Sequence, residues 1–98
     1  MIRYSTEAQA DLRRISQYYE VLSPQATQNI VEDIVSTVLA LPTDISKGRK
    51  TDLPHIWEKL TPKYRYLVPY QVIDGTYVIL RVYDQRQGPL DRTTLKAD

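Results

Sequence analysis

The sequence has 98 residues, with 13 Lys and Arg against 12 Asp and Glu, so its formal net charge is only +1. This length suits one domain over residues 1–98 with two layers of structure, and the absence of cysteine excludes disulfides and thiolate metal sites. No targeting signal is recognisable and no apolar run approaches the roughly 20 residues of a membrane span, so we expect a cytoplasmic protein.

Two amphipathic helices are predicted after a short amino-terminal edge strand at residues 1–5. Thr6 and Gln9 form a capping-box signature for the first helix. Ser23 and Pro24 fit the N-cap and first turn of a second helix, which Pro42 ends. The connection is short, so an antiparallel hairpin should form. The apolar stripes of the two helices are Ala8, Leu12, Ile15, Tyr19, Leu22, and then Ile30, Val31, Ile34, Val35, Val38, Leu39 and Leu41.

The rest of the chain is predicted to be a loop followed by strands. Residues 42–54 are rich in turn formers and charge, which is typical of an exposed loop. A short strand at 55–60, longer strands at 64–73 and 76–83 and a polar tail from about residue 85 follow. The order strand-helix-helix-strand-strand-strand predicts an α+β fold, with an antiparallel helical hairpin packed on one face of a twisted, mainly antiparallel four-stranded sheet.

The last two strands meet at the Asp-Gly pair at residues 74–75, where a two-residue turn would place Ile73 opposite Thr76. Such a turn makes Pro69 and Leu80 a hydrogen-bonded pair, although proline has no N–H to donate. We therefore expect either a four-residue loop from Ile73 to Thr76 or a β-bulge near Pro69. A bulge would change which side chains share a face.

Both faces of this predicted hairpin carry large side chains, but two helices can cover only one. We assign to the core the face that holds Tyr64, Tyr66, Val68, Tyr70, Val72, Tyr77, Ile79, Arg81 and Tyr83. The opposite face would then leave an apolar patch open to water, a feature that a lone soluble protein rarely tolerates. That patch consists of Leu67, Pro69, Val78, Leu80 and Val82. The tail has only Leu90 and Leu95 as sizeable apolar groups, so we expect a partner chain to cover the patch.

The usual catalytic and ligand-binding motifs are missing from the sequence. His55 is the only histidine, and we interpret it as a surface or packing residue rather than a general base. Glu32 and Asp33 point about 100° apart on a helix and do not converge as metal ligands. The three glycines form no phosphate-binding loop. We expect no metal site and no bound cofactor.

Basic and phenolic side chains are predicted to gather near one end of the sheet, namely Lys59, Lys63, Arg65, Arg81, Arg86, Tyr64, Tyr66 and Tyr83. A metal-independent ribonuclease could use such groups, with Lys59, Arg65, Arg81 and Tyr83 as the catalytic candidates. The alternative is that Arg81 stacks on tyrosines while its neighbours are solvated. We favour the alternative because a phenol of ordinary pKa is a poor base, and we expect no direct binding of nucleic acid by this chain alone.

Two sequence motifs carry a resemblance to a known family. The first is A-x-x-D-L-x-x-I-x-x-Y, given by Ala8, Asp11, Leu12, Ile15 and Tyr18. The second comprises Tyr66, Leu67, Tyr70, Val72, Tyr77 and the run Ile79-Leu80-Arg81-Val82. Together, over about residues 4–87, they resemble the RelE/ParE family of toxins from bacterial type II toxin-antitoxin modules.

The branch of this family decides the implied function. RelE-like members are ribosome-dependent messenger-RNA endoribonucleases, with an arginine three residues before the tyrosine matched by Tyr70, where this chain has Leu67. A histidine of many relatives is replaced by Asp84, and the tail at residues 88–98, GPLDRTTLKAD, has no tyrosine and only two basic residues, whereas relatives end in further basic and tyrosine residues. These departures favour the ParE-like branch, whose members lack nuclease activity and are taken to inhibit DNA gyrase and so replication. A RelE-type ribonuclease is the alternative.

The resemblance also implies partners. An antitoxin wraps the toxin of such a module, which assigns to it the predicted apolar face with Leu67, Pro69, Val78, Leu80 and Val82. The expected target is DNA gyrase, with Arg81, Arg86 and Tyr83 as candidate contacts, and no membrane is involved.

Overall fold

The structure is a computed structural model that describes residues 1–43 and 48–98, and it has the α+β architecture expected from the sequence. Residues 44–47, part of the predicted 42–54 loop, lie outside the described residues. The elements are β1 (Ile2–Tyr4), α1 (Thr6–Leu22), α2 (Pro24–Ala40), β2 (Arg49–Lys50), β3 (Trp57–Leu60), β4 (Tyr66–Ile73), β5 (Thr76–Ile79) and β6 (Tyr83–Asp84). The tail contains two short 3-10 turns, Gln85–Gln87 and Arg92–Thr94.

The sheet has six strands rather than the predicted four, because the two-residue strands β2 and β6 add to it. The strand order is β1-β5-β4-β3-β2, and β6 pairs with β4. The pairing of β1 with β5 is parallel, whereas the other pairs are antiparallel. The predicted strand at 55–60 begins two residues late, at Trp57, because His55 adopts a φ of 63°.

Helix α1 begins one residue earlier than the capping-box signature predicts. Ser5, not Thr6, is the N-cap: its backbone is extended and its Oγ accepts a hydrogen bond from the Ala8 N–H (3.1 Å). The Ser5 hydroxyl also donates to the Leu80 carbonyl (2.8 Å), which fixes it in the interior. The predicted cap of α2 is confirmed, since Ser23 Oγ accepts from the Ala26 N–H and proline follows it.

The two helices cover most of the predicted face of the sheet, but Val72, which is predicted to lie in the core, is 48 % exposed. The main core consists of Ala8, Ile30, Ile34, Val38 and Leu41 from the helical part and Tyr66, Val68, Tyr70, Ile79 and Val82 from the sheet. The ends of the predicted helical stripes are not covered: the exposed fraction is 65 % for Leu22 and 63 % for Leu39. In the described ranges, neither helix has the length and apolar character needed to cross a membrane.

A β-bulge resolves the conflict between the tight turn and Pro69. The residues at the turn, Asp74 and Gly75, have φ values of 49° and 78°, as a two-residue type I′ turn requires. From there β4 pairs regularly with β5, but β6 pairs one residue out of step, so that residues 80–82 face only two residues of β4. Leu80 donates its N–H to the Pro69 carbonyl (2.9 Å). Pro69 has no N–H to donate to the Leu80 carbonyl, so that carbonyl accepts a hydrogen bond from the Ser5 hydroxyl instead.

The bulge and the tail overturn the prediction of an open second face. Because the extra residue reverses the faces after Leu80, Val82 points into the main core and is 3 % exposed. Val78 and Leu80 do lie on the other side, but they are fully buried in a second apolar cluster, and Pro69 is buried as well. The prediction that the tail is inadequate is wrong, since Leu95 and Ala97 pack against this cluster together with Leu53 and Ile56. Leu67 alone among the five predicted patch residues stays partly exposed.

Candidate functional site

A groove of about 470 Å³ separates the outer side of α1 from the end of the sheet, and we call it the α1–β6 groove. Helix α1 supplies one wall, while β4, the bulge, β6 and the first 3-10 turn supply the other. Its lining residues are Asp11, Arg14, Ile15, Tyr18, Tyr19, Tyr66, Arg81, Val82, Tyr83, Asp84 and Gln87. The groove therefore combines aromatic walls with paired charges.

A buried ion pair joins the two walls of the α1–β6 groove. Arg81 donates from Nε to Asp11 Oδ2 (2.6 Å) and from Nη2 to Asp11 Oδ1 (2.9 Å), which is a bidentate arrangement. Asp11 also accepts from the Val82 N–H (3.0 Å) and from the exposed Arg14 (2.5 Å). The hydrogen bonds from Arg81 to Asp11 raise the pKa of the Arg81 guanidinium. The pair holds α1 against the bulge.

Arg81 is a positioning residue rather than a free cation. It is only 9 % exposed, it donates from Nη1 to Thr94 Oγ1 in the tail (2.5 Å), and its guanidinium carbon lies 5.9 Å from the centre of the Tyr83 ring. This supports the interpretation of Arg81 as stacked on a tyrosine. Three of the five guanidinium N–H groups are thus bonded within the chain, and the role of Arg81 as a target contact or catalytic residue stays a prediction.

Beside the groove, Arg86 forms an exposed pair with Asp84. Arg86 donates from Nε to Asp84 Oδ1 (2.9 Å) and from Nη2 to Asp84 Oδ2 (3.1 Å), and its side chain is 70 % exposed. The Arg86 hydrogen bonds lower the pKa of the Asp84 carboxyl, and the same bonds raise the pKa of Arg86.

Burial, followed by a hydrogen bond with Tyr19, raises the pKa of the Tyr66 phenol. The raised pKa means that the environment favours the neutral form of this phenol.

The predicted basic and phenolic cluster is divided by the fold. Tyr66, Arg81 and Tyr83 line the α1–β6 groove, whereas Lys59 and Arg65 do not. Lys59 lies in β3 opposite Val68, and Arg65 is an exposed residue of the β3–β4 turn with a φ of 59°. The four catalytic candidates are thus not assembled around one cavity in the part of the chain that the structure describes.

Two further members of the predicted basic and phenolic cluster, Lys63 and Tyr64, lie in the β3–β4 turn. Asp33 of α2 is buried, and its carboxylate accepts the backbone N–H groups of Lys63 (3.2 Å) and Tyr64 (2.7 Å). Asp33 therefore fixes the β3–β4 turn against α2. Across residues 1–43 and 48–98, no group of three or more His, Asp or Glu side chains is placed to hold a metal ion.

Sequence reasoning assigned no role to the helical wall of the groove, which is formed by Asp11, Arg14, Tyr18 and Tyr19. A signal was present, because Asp11 and Tyr18 belong to the amino-terminal motif and lie seven residues apart, on one side of a helix. The pairing of Asp11 with Arg81, by contrast, had no local signal in the sequence.

A second depression lies on the opposite side of the sheet, and we call it the outer groove. It has a volume of about 380 Å³, and Leu67 and Pro69 are among its lining residues. The tail contributes Pro89, Leu90, Arg92 and Leu95, while the β2–β3 region contributes Arg49, Lys50, Thr51, Asp52, Leu53, Ile56 and Glu58. Ion pairs between Arg49 and Glu58 and between Arg92 and Asp52 lie at this groove. Leu67, the one residue of the predicted apolar patch that the tail leaves partly exposed, lies in this groove.

Comparisons with known proteins agree on one family. A family model described as the ParE toxin of type II toxin-antitoxin system, parDE, matches residues 2–89. A solved structure titled the chromosomal ParDE TA system from P. aeruginosa contains a similar chain, with a TM-score of 0.71 and 27 % sequence identity. The similarity covers 84 % of this chain and 91 % of that one. A search of the curated proteins finds no match.

Proposed function

The chain belongs to the ParE toxin family of type II toxin-antitoxin systems, and from this membership we propose that it arrests bacterial growth by inhibiting DNA gyrase. The family match over residues 2–89 is the observation that carries the proposal. We further propose that toxin and antitoxin act in the cytoplasm, and that the module stabilises the plasmid or chromosome that encodes it.

The geometry of the chain supports a protein-binding inhibitor over a ribonuclease. Metal-independent cleavage of RNA needs a base, an acid and cations that converge on one phosphate. Here three of the five N–H groups of Arg81 bond to Asp11 and Thr94, and Arg65 lies in an exposed turn away from the α1–β6 groove. Leu67 occupies the position at which the ribonuclease branch has an arginine. The RelE-type alternative therefore has no assembled site among the described residues.

We propose that the target contacts the rim of the α1–β6 groove. Arg86 is the most exposed of the three predicted contacts, and Tyr83 presents its ring in the groove wall. Tyrosine and arginine are enriched at the energetic centres of protein interfaces. Arg81 contributes indirectly, because its contact with Tyr83 and its bonds to Asp11 hold the two walls in place.

We propose that the antitoxin binds along the outer groove. Leu67 is partly exposed there, and the surrounding apolar side chains offer a floor for a partner segment. Pro69 lies under the same groove. Val78 and Leu80 are covered by the tail, so they would contact the antitoxin only if the tail moved away. Val82 belongs to the main core and lines the α1–β6 groove on the opposite side of the sheet, so we do not include it in the proposed antitoxin surface.

The proposed activity is tested by inducing the chain in bacteria and by adding the purified protein to supercoiling reactions. We expect growth arrest that co-expression of the cognate antitoxin relieves, loss of gyrase supercoiling, and intact message in a translating extract. Cleavage of ribosome-bound message with normal supercoiling would instead establish the ribonuclease. Failure of both assays together with normal growth would refute a toxic function.

The proposed target surface is tested by Arg86→Glu, with Arg13→Glu as the matched control on an exposed position of α1. We expect Arg86→Glu to reduce gyrase inhibition at least roughly tenfold, the loss typical of an interface centre, while the control changes it little. Equal effects of the two variants would show that net charge, not this surface, governs inhibition.

The proposed antitoxin surface is tested by Leu67→Asp, with Val72→Asp as the control on a similarly accessible strand position. Titration calorimetry with the cognate antitoxin should show weaker binding for Leu67→Asp and unchanged binding for the control. Unchanged binding of Leu67→Asp would place the antitoxin elsewhere.

A further inference from the structure

We propose that Arg81 couples the docking of the carboxy-terminal tail to the conformation of the α1–β6 groove. Binding on one side of the sheet then changes the affinity for a ligand on the other side. The inference rests on the contacts of one side chain. Its guanidinium donates to Asp11 on the helix side and to Thr94 in the tail that covers the other side. It does not depend on which target the toxin has.

The tail is held to the domain by a small set of separate contacts. Leu95 and Ala97 pack on the second apolar cluster. Arg3 donates to the carbonyl oxygens of Ala97 (2.6 Å) and of Asp98 (3.0 Å), and Arg92 pairs with the exposed Asp52. Exposed ion pairs contribute little, and the backbone hydrogen bonds inside the tail are local. The tail is therefore a segment that can detach without unfolding the sheet beneath it.

The groove side of Arg81 is arranged so that it responds to that detachment. The Asp11 carboxylate holds both Arg81 and the Val82 N–H, which is the first amide after the bulge. If Thr94 leaves, Nη1 loses its acceptor and water enters beside the guanidinium, which is then drawn outward from Asp11. Such a movement strains the bidentate pair and frees the Val82 N–H. Tyr83 adds a parallel link, since it lines the groove while its hydroxyl donates to the Gly88 carbonyl (2.9 Å).

Two states of the tail, docked and detached, thus differ in the contacts available to Arg81. A ligand that tightens the α1–β6 groove favours the docked tail, and a ligand that removes the tail loosens the groove. By thermodynamic linkage the two effects on binding are equal in size. Docking of the tail on one face of the sheet consequently depends on whether the α1–β6 groove on the other face is occupied.

Hydrogen exchange measured by NMR on the complete chain tests this coupling with Thr94→Val, which removes the hydroxyl and keeps the shape. Thr93→Val is the matched control, because Thr93 is exposed and its hydroxyl bonds, among the residues that the structure describes, to Asp91 in the same turn. We expect Thr94→Val to speed exchange at the tail amides of Leu95 and Lys96 at least roughly tenfold, as loss of a hydrogen bond to a charged group predicts.

The groove side supplies the decisive readout. With Thr94→Val, the Val82 amide and the Arg81 Nε–H should also exchange faster, while the α2 amides of Ile34 and Val38 keep their protection. Faster exchange confined to the tail would overturn the proposal. Equal acceleration in α2 would overturn it too, because the tail would then open only with the whole fold.

A second variant tests the coupling by weakening the apolar packing that holds the tail on the sheet. Leu95→Ala weakens tail docking without removing Asp11 or Thr94, the hydrogen-bond partners of Arg81. We expect the same acceleration at Val82 and at the Arg81 Nε–H as with Thr94→Val. An unchanged groove side in Leu95→Ala, with a tail that demonstrably exchanges faster, would show that the two faces are independent.

Discussion

Replacing Asp11 by alanine should destabilise the protein more than any surface substitution, because it removes the only carboxylate that pairs with Arg81 among the described residues. The guanidinium is 9 % exposed and donates two hydrogen bonds to Asp11, at 2.6 Å and 2.9 Å. Alanine would leave a charge in the interior and would also orphan the Val82 N–H. Exposed Arg14, by contrast, would simply turn to water.

The expected cost follows from these contacts. Breaking a buried ion pair by removing one partner costs about 3–5 kcal/mol. A domain of this size has a free energy of unfolding of roughly 5–15 kcal/mol, so the loss is a large share of it. At roughly 4–8 °C per kcal/mol for a chain of this length, the melting temperature should fall by at least about 12 °C. Arg14→Ala, which removes an exposed partner, should cost less than about 1 kcal/mol.

Urea unfolding followed by the fluorescence of Trp57, the single tryptophan, measures these differences. The double variant Asp11→Ala with Arg81→Met removes both charges, so it should be no less stable than Asp11→Ala alone. The reasoning would be refuted if Asp11→Ala cost less than about 1 kcal/mol. It would also be refuted if the two single losses simply added in the double variant.

Further expectations concern Asp84, Ser5 and Gly75. Because Arg86 lowers the pKa of Asp84, the pair stabilises the fold above the ordinary carboxyl range, and that contribution is lost as pH falls through the lowered pKa; an NMR titration should show the pKa rising in Arg86→Gln, and no rise would discredit the pair. Ser5→Ala should cost about 2–4 kcal/mol in urea unfolding, because a helix cap and a buried carbonyl partner are both lost, whereas Thr6→Ala should cost under roughly 0.5 kcal/mol; the reverse order would restore Thr6 as the cap. Gly75→Ala meets no neighbouring atom but holds a φ of 78°, so it should cost about 1–2 kcal/mol from backbone strain alone; a neutral result would contradict the turn geometry.

Much of the fold was readable from local patterns. The apolar stripes predict both helices, and the Ser-Pro pair at residues 23–24 marks the break between them within one residue. The Asp-Gly pair gives the hairpin and its register near the turn. The conflict between a tight turn and Pro69 even indicated a bulge. These features depend on neighbouring residues and on backbone chemistry, so the sequence contains them directly.

The site was less readable, because its residues meet only through long-range packing. Asp11 and Arg81 are 70 positions apart, and no local rule pairs them. The polar composition of the tail predicts that it cannot cover the sheet, yet Leu95 and Ala97 do so together with Leu53 and Ile56, because the bulge turns Val82 inward and reduces the area to be covered. Whether an arginine is exposed to solvent or buried in an ion pair depends on such long-range packing.

The sequence by itself determined the α+β class, the helical hairpin, the covered face of the sheet and the resemblance to ParE-like toxins, since hydrophobic periodicity and turn chemistry act over a few residues. Only the tertiary structure decided that Arg81 is enclosed between Asp11 and Thr94 and that the outer face is largely closed by the chain's own tail. The physical reason is that one extra residue at the bulge reverses every side chain after it, and that reversal is set by pairing across the whole sheet.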